Sequence, residues 1–172
     1  MHNDYPNDPY SYGLAGWTEN DEHILIYDHY DIWAFDPNNG KSERLTTGRE
    51  NKIRYRYIKL DNEERSIKND NKWLFSTFNE INKYGGFYSY DSKRGKGKLL
   101  IEGPYRYGIP RLAQNDKSQH IIFTRESFTD FPNLWSSDVS FKSTNQITDV
   151  NPQQSDYNWG TAEMVKWTSL DG

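Results

Sequence analysis

Four side chains that could bind a metal ion lie close together near the N-terminus of the sequence. They are two histidines and two aspartates: His23, Asp28, His29 and Asp31. A zinc site built from neighbouring residues needs histidines at defined spacings, as in the H-E-x-x-H motif, and that pattern does not occur here. Aspartate at both ends of the segment 28–31 is typical of a turn between strands. We therefore predict a turn and no metal site.

The segment Asp36–Gly40, with sequence DPNNG, is similar in composition to a calcium-binding loop. Such a loop needs glycine at its sixth position, where this chain has Lys41, and the later glutamate is missing. Gly40-Lys41-Ser42 resembles the end of a phosphate-binding loop, but Phe35 stands where that motif requires glycine. Because Asn-Gly is a strong hairpin signal, the segment is predicted to be a turn.

Acid–base and nucleophilic catalysis also lack a specific motif. The 25 acidic residues could supply the two carboxylates of a glycosidase, about 5–9.5 Å apart, but the sequence selects no pair. Among adjacent acidic residues, Glu63-Glu64 could hold a substrate's amino group, and its charged surroundings predict a solvated loop. The G-x-S-x-G motif of a hydrolase nucleophile is absent. The sequence therefore assigns no catalytic, cofactor-binding or metal-binding residue.

The aromatic and basic residues have structural interpretations. The 6 Trp and 13 Tyr residues could form a sugar-stacking surface, but their positions in strand-like segments favour packing in a core. The basic run Lys93–Lys98 is predicted to be the solvated tip of a turn. A net charge of −4 over 172 residues argues against a nucleic-acid partner, for which a clustered basic face is expected.

Targeting and redox signals are weak. The chain has no cysteine, so it forms no disulfide. Its apolar runs are far shorter than the ~20 residues of a membrane-spanning helix. The polar N-terminus has no signal-peptide core. We expect either a cytoplasmic protein or a chain whose natural start lies elsewhere, and the choice between cytoplasm and periplasm stays open.

A repeated unit dominates the sequence. The unit Trp17–Gly48 has short strands rich in Ile, Tyr, Trp and Phe, separated by Asp, Asn, Gly and Pro. His120–Thr124 matches His23–Tyr27, and Asn133–Ser137 matches Asp31–Phe35. The third-strand aromatics, Trp33, Tyr88 and Trp135, recur at intervals of about 50 residues, which is typical of four-stranded propeller blades.

The predicted fold is therefore an all-β, partial β-propeller of three four-stranded antiparallel blades. The blades cover about 13–48, 53–103 and 107–150. Within the third blade we expect one strand at Tyr107–Ala113 and a turn at Gln114–Ser118. Glu163–Trp167 is predicted to be a lone strand, and 162–168 is either the first strand of a further blade or an exit strand. Because closed propellers have at least four blades, the chain is expected to be a segment of a longer protein.

Three stretches resemble one protein family. The blade pattern beginning at Trp17 resembles the N-terminal β-propeller of prolyl oligopeptidase-family serine peptidases, in the dipeptidyl-peptidase IV-like branch. Leu60–Ile67, followed by Leu74–Phe78 and Gly86–Tyr88, is similar to a blade of bacterial members. Ala162–Gly172 is similar to the strand that leaves the propeller for the α/β-hydrolase domain.

The resemblance implies a non-catalytic propeller segment that gates peptide access to a C-terminal α/β-hydrolase domain absent from this chain. The implied partners are that domain and peptide substrates, with no nucleic acid and no membrane segment. This chain alone is then no enzyme and needs no cofactor. The alternative is a free-standing TolB-like propeller that acts as a protein-interaction module. A carbohydrate-active propeller would need two converging carboxylates.

Overall fold

The computed structural model of the chain describes residue 8 and residues 10–69, 72–108, 110–115 and 118–170. These residues form three antiparallel sheets that follow one another along the chain, and each sheet has a path of four neighbouring strands in sequence order. The predicted all-β class and the three four-stranded blades are confirmed. Within the described residues, no helix combines the length and apolar character needed to span a bilayer.

Blade one comprises the strands β1 (Leu14–Trp17), β2 (Ile24–Tyr27), β3 (Ile32–Phe35) and β4 (Ser42–Arg44). A 3-10 turn at Glu19–Asp21 joins β1 to β2. Gly40 ends the β3–β4 turn with a φ of 73°, a conformation that favours glycine. The turn chemistry predicted for Asp36–Gly40 is therefore confirmed.

Blade two begins with a short helix, α1 (Gly48–Asn51), which leads into the innermost strand. Its strands are β5 (Ile53–Ile58), β6 (Lys72–Asn79), β7 (Gly85–Asp91) and β8 (Lys96–Gly103). The helix was not predicted, because a single helical turn has too few residues to show a helical period.

Blade three contains β9 (Arg106–Tyr107), β10 (Arg111–Asn115), β11 (Ser118–Glu126), β12 (Asn133–Asp138) and β13 (Thr144–Gln146). The predicted single strand at Tyr107–Ala113 is wrong: the chain leaves the sheet between β9 and β10, where Pro110 can donate no ladder hydrogen bond. The turn predicted at Gln114–Ser118 is also too long, since β10 continues to Asn115 and β11 starts at Ser118. Residues 116 and 117 lie outside the described residues.

The C-terminal segment follows a 3-10 helix, Pro152–Asp156. Residues 160–169, which include the strand predicted at Glu163–Trp167, have no regular secondary structure in this chain, and they are exposed. A strand needs a neighbour for its backbone hydrogen bonds, and the described residues offer none at this place. Asp171 and Gly172, the end of the predicted exit segment, lie outside the described residues.

Two apolar layers join the blades. Between blades one and two lie Leu25, Ile32, Ala34, Tyr55, Ile67, Trp73, Phe75 and Tyr90. Between blades two and three lie Ile58, Leu74, Phe87, Ile121, Phe123 and Phe141. Strand β6 contributes to both layers because alternate side chains point to opposite faces of a sheet. Burial raises the pKa of Tyr55 to about 12, so this core phenol stays neutral over the physiological range.

The connection between β5 and β6 folds back onto blade one. Ile67 forms a parallel bridge with Thr18. The Ile67 amide donates to the Trp17 carbonyl at 2.8 Å, and the Glu19 amide donates to the Ile67 carbonyl at 3.1 Å. The Asn69 side-chain amide donates to the Glu22 carboxylate at 2.8 Å. Blades one and two are therefore joined by backbone hydrogen bonds as well as by an apolar layer.

Replacing Thr77 by valine is expected to raise the free energy of unfolding by about 1 kcal/mol. Its hydroxyl is buried and has no hydrogen-bond partner among the described residues, and the residue is 6% exposed. Valine removes the desolvated hydroxyl and keeps the branched shape. Urea unfolding followed by circular dichroism measures the change.

Thr46→Val is the matched control for Thr77→Val. The Thr46 hydroxyl donates to Asp31 at 2.7 Å and accepts from the Ile32 amide at 3.1 Å. Its loss should lower the free energy of unfolding by about 2 kcal/mol. Equal effects of the two substitutions would contradict the assignment of Thr77 as unsatisfied.

Candidate functional site

A buried carboxylate fixes the connection between blades one and two. Asp31 is fully buried, directly before β3. It accepts hydrogen bonds from the Thr46 hydroxyl and from the backbone amides of Gly48 and Arg49, which open α1. An Arg44 nitrogen lies 3.6 Å from the carboxylate. The charge is thus surrounded by donors, which is what allows it to be buried.

Blade three repeats this arrangement with a neutral residue. The Thr148 hydroxyl donates to Asn133 at 3.1 Å and accepts from the Leu134 amide at 2.9 Å. The Val150 amide donates to Asn133 at 2.8 Å. Each of these bonds has a counterpart in the Asp31–Thr46 network of blade one. The two networks therefore hold the chain in the same way where it leaves each blade.

Blade two has no such network. Its residues at the corresponding positions are Gly86 and Glu102, which are partners in the β7–β8 register. A β-carbon on Gly86 would lie 2.3 Å from the Ile101 carbonyl oxygen, so β8 approaches too closely for an aspartate there. The chain leaving blade two is consequently not fixed by a buried acid, and a pocket lies beside it.

The junction pocket lies where blade two meets the start of blade three and has a volume of about 360 Å³. Its blade-two walls come from the start of β5, the end of β6 and the start of β7, and its remaining wall is the segment 105–107. The main lining side chains are Arg54, Phe78, Lys83, Phe87, Tyr105 and Arg106. No local sequence pattern indicates this site, because Arg54 and Tyr105, on opposite walls, are about 50 residues apart along the chain.

Three cations line the junction pocket, and no carboxylate does. The Arg54 guanidinium lies 5.2 Å from the centre of the Phe78 ring. Lys83 donates to the Glu80 carbonyl at 2.7 Å, and Arg106 is paired with Glu126 at 2.6 Å. Within the described ranges, no carboxylate forms a salt bridge with Arg54. The pocket is therefore locally positive in a chain whose net charge is −4.

The rim of the junction pocket is held in place by close packing. A β-carbon on Gly85 would lie 2.6 Å from the Tyr105 carbonyl oxygen, so only glycine at position 85 allows the segment 105–107 to pack this closely. The Tyr105 ring packs against the Arg125 guanidinium, 4.2 Å from the ring centre, and the same guanidinium lies 3.6 Å from the Trp135 ring centre. The Tyr105 wall is thus supported from blade three.

Asp28, one of the four residues considered as metal ligands, takes part in hydrogen bonds that hold a turn. Asp28 accepts from the amides of Tyr30 and Asp31 and from the Trp33 indole, and it pairs with Arg49 at 2.7 Å. The predicted turn at 28–31 is thereby confirmed. Within the described residues, no group of three or more His, Cys, Asp or Glu side chains converges as metal ligands would.

His29 links the first two blades. Its Nε2 lies 2.7 Å from the Glu80 carboxylate, which belongs to the β6–β7 turn. The Tyr30 hydroxyl donates to the same carboxylate at 3.0 Å. Asp31 and Thr46 have the same spacing as Asn133 and Thr148, and this repeat could have indicated the buried networks. No sequence pattern indicates that Glu80 contacts His29.

Stability is expected to fall at acid pH through Glu80. Burial raises the pKa of Glu80, but hydrogen bonds from His29 and Tyr30 together lower it further, so it lies below the ordinary 4.5. Since the folded-state pKa is the lower one, the stabilisation is complete above pH 4.5 and is lost as the pH falls through the folded value. Urea unfolding between about pH 3 and pH 6 measures it.

The matched variant for this pH dependence is Glu80→Gln. It should show a flatter loss of stability below pH 4.5 than the parent chain, because the titrating group is gone. Asp28, whose pKa is also lowered, remains in both and contributes the same slope. Identical slopes in the two proteins would exclude the His29–Glu80 contact as a source of acid sensitivity.

The other residues considered from the sequence are peripheral. Glu63 is exposed, and Glu64 pairs with Lys68 at 3.0 Å in the β5–β6 connection. The run Lys93–Lys98 is exposed, but only its first half is in the predicted turn, because β8 already begins at Lys96. A broader depression of about 500 Å³ beside the 3-10 helix Pro152–Asp156 is lined by Asp130 and Asp149 and by no cation.

Comparisons with known proteins support the fold. Neither a protein-family model nor a curated protein sequence matches the chain. The chain is similar to a solved oligogalacturonate lyase in complex with manganese, with a TM-score of 0.54 and 11% identity, over 79% of this chain and 41% of that one. It is also similar to a TolB-like protein from Agrobacterium tumefaciens, with a TM-score of 0.35 and 14% identity, over 80% of this chain and 61% of that one.

The chain therefore spans about two-fifths of the lyase chain that it matches. At 11% identity the similarity shows the fold and nothing about substrates. Together with the three consecutive four-stranded sheets, it identifies the architecture. The chain folds as three successive blades of a β-propeller.

Proposed function

We propose that this chain is a non-catalytic β-propeller segment of a prolyl oligopeptidase-family serine peptidase. In that protein the propeller would restrict the peptides that reach an α/β-hydrolase domain carried elsewhere. The resemblance in Trp17–Gly48, Leu60–Ile67 and Ala162–Gly172 suggests the family. The blade fold agrees with it, since a propeller is the part of such a peptidase that filters substrates by size.

The observation that carries the proposal is the way in which the chain leaves blade three. The Val150 amide is held by Asn133, just as the Gly48 amide is held by Asp31. After Gly48 the chain turns through α1 into the first strand of blade two. By analogy, we expect the chain after Val150 to continue into a further blade in the parent protein.

The C-terminal segment is chemically suited to such a continuation. Tyr157, Trp159, Val165 and Trp167 are between 53% and 83% exposed. A contiguous patch of exposed apolar side chains, unlike single exposed ones, marks a surface that contacts another element. We therefore retain the expectation that 162–168 is the first strand of a further blade or an exit strand, which pairs only when its neighbour is present.

A peptidase assay tests the absence of catalysis in this chain. The purified chain is incubated with peptidyl p-nitroanilides and with a fluorophosphonate probe that labels active serines. We expect neither turnover nor labelling above the buffer control. Turnover that co-elutes with the chain through a second purification would overturn the proposal, because no serine here has the expected G-x-S-x-G context.

The reading frame downstream of Gly172 tests the parent protein. A G-x-S-x-G sequence some hundreds of residues further on, in a product that the fluorophosphonate probe labels, would support the peptidase. A stop codon directly after Gly172, with a chain that is folded and monodisperse, would favour the free-standing TolB-like module instead. The two readings differ in the gene itself and are therefore distinguishable without a substrate.

A further inference from the structure

We propose that the junction pocket binds a small organic carboxylate whose apolar part lies against the pocket's aromatic wall. The volume of about 360 Å³ is in the range of small-molecule sites in proteins. This inference does not depend on membership of a peptidase, because it rests on the pocket alone. It holds equally for a free-standing propeller.

Charge selects the head group of the ligand. Arg54, Lys83 and Arg106 line the pocket without a lining carboxylate. Lys83 and Arg106 are already engaged, by the Glu80 carbonyl and by Glu126. Arg54 forms no salt bridge among the described residues, although the charge of the nearby Glu80 carboxylate acts on it. A planar guanidinium matches a planar carboxylate through two parallel hydrogen bonds.

A singly charged ligand fits this balance better than a phosphate. Glu126 neutralises Arg106, and the Glu80 carboxylate near Arg54 offsets one of the two charges carried by Arg54 and Lys83. The single positive charge that remains matches a carboxylate, whereas a phosphate dianion would need a second uncompensated cation. Arg54 is also half-buried beside Phe78, so a carboxylate bound there is partly shielded from water. Shielding strengthens the attraction relative to that of an exposed ion pair.

Aromatic rings select the body of the ligand. Phe87 is 1% exposed and lines the pocket, with its ring centre 5.4 Å from that of Tyr107. The Tyr105 ring is supported from behind by Arg125 at 4.2 Å. These rings are fixed before a ligand arrives, so little side-chain freedom is lost on binding. A flat or apolar group next to the carboxylate would contact them.

A titration with a charged probe and its neutral analogue tests the proposal. Hippurate carries a carboxylate on a short arm from a phenyl ring, and hippuramide is the same molecule with the charge removed. Each is added to the isotopically labelled full chain up to about 10 mM, which detects millimolar dissociation constants. We expect hippurate to shift the backbone amide signals of Gly85, Gly86 and Tyr105, and hippuramide to leave them in place.

Arginine variants assign the charge. Arg54→Gln should weaken hippurate binding by roughly tenfold, as expected for loss of a bidentate ion pair. Arg94→Gln is the matched control. The Arg94 side chain is 80% exposed in the β7–β8 turn, at the opposite end of the same blade. This substitution should change the affinity for hippurate by less than about twofold. Arg54→Lys keeps the positive charge but cannot form two parallel hydrogen bonds, so it should also weaken hippurate binding. It replaces Arg54→Gln in the test if that variant does not fold.

Three results would overturn the inference. The first is equal affinity for hippurate and hippuramide. The second is an absence of shifts at the pocket amides over the whole titration. The third is parental affinity in a folded Arg54→Gln or Arg54→Lys chain. Added phenyl phosphate distinguishes the head groups: tighter binding of phosphate than of hippurate would contradict the assignment to a carboxylate.

Discussion

Phe75→Ala is expected to lower the free energy of unfolding by about 4 kcal/mol. The Phe75 ring is fully buried in the layer between blades one and two. Its centre lies 5.8 Å from that of Tyr90 and 6.3 Å from that of Tyr88, in stacked arrangements. Alanine removes these contacts and leaves a cavity between rigid sheets, which cannot collapse to fill it. Urea unfolding followed by tryptophan fluorescence measures the loss.

Phe128→Ala is the control for this change. Phe128 is 60% exposed in the β11–β12 turn, so its removal should change the free energy of unfolding by less than about 0.5 kcal/mol. A loss at Phe75 no larger than that at Phe128 would show that blades one and two are not packed through this layer.

Asp31→Ala is expected to lower the free energy of unfolding by about 3 kcal/mol. The substitution leaves the Thr46 hydroxyl and the amides of Gly48 and Arg49 without their acceptor. It also releases the segment that leads from blade one into blade two. Thermal and urea unfolding of the two proteins provide the measurement.

Asp31→Asn separates the hydrogen bonds from the charge. Blade three uses Asn133 in the same place, where one amide oxygen accepts both from Thr148 and from Val150. We therefore expect Asp31→Asn to cost about 1 kcal/mol, well below the cost of Asp31→Ala. If the two variants were equally destabilised, the charge rather than the acceptor geometry would hold the connection.

The repeat in the sequence was sufficient to predict the blades, because alternating apolar residues and turn residues are local signals. The break between β9 and β10 was missed although Pro110 stands there, since apolar residues lie on both sides of it, at Tyr107 and at Leu112. The strand predicted at Glu163–Trp167 has no partner among the described residues and is not formed there. Strand formation depends on a partner, and β-propensity measures only how well a side chain suits a sheet.

The junction pocket could not be predicted from local patterns. Nothing near Arg54 in the sequence indicates that Tyr105 lines the same pocket. That proximity arises from the packing of Phe87 against Phe123 and Phe141 across blades two and three. The Asp31–Thr46 network, in contrast, could have been predicted, because Asn133 and Thr148 repeat its spacing of 15 residues. It was not predicted, because an aspartate beside a turn is already explained by the turn itself.

The β5–β6 connection has a consequence for how the molecule unfolds. Through Ile67 it pairs with the backbone of blade one, so blade two cannot separate from blade one without breaking hydrogen bonds in both. Blade three meets blade two through an apolar layer and one covalent connection. We therefore expect blades one and two to unfold as one cooperative unit, and blade three to be the first to open by local unfolding.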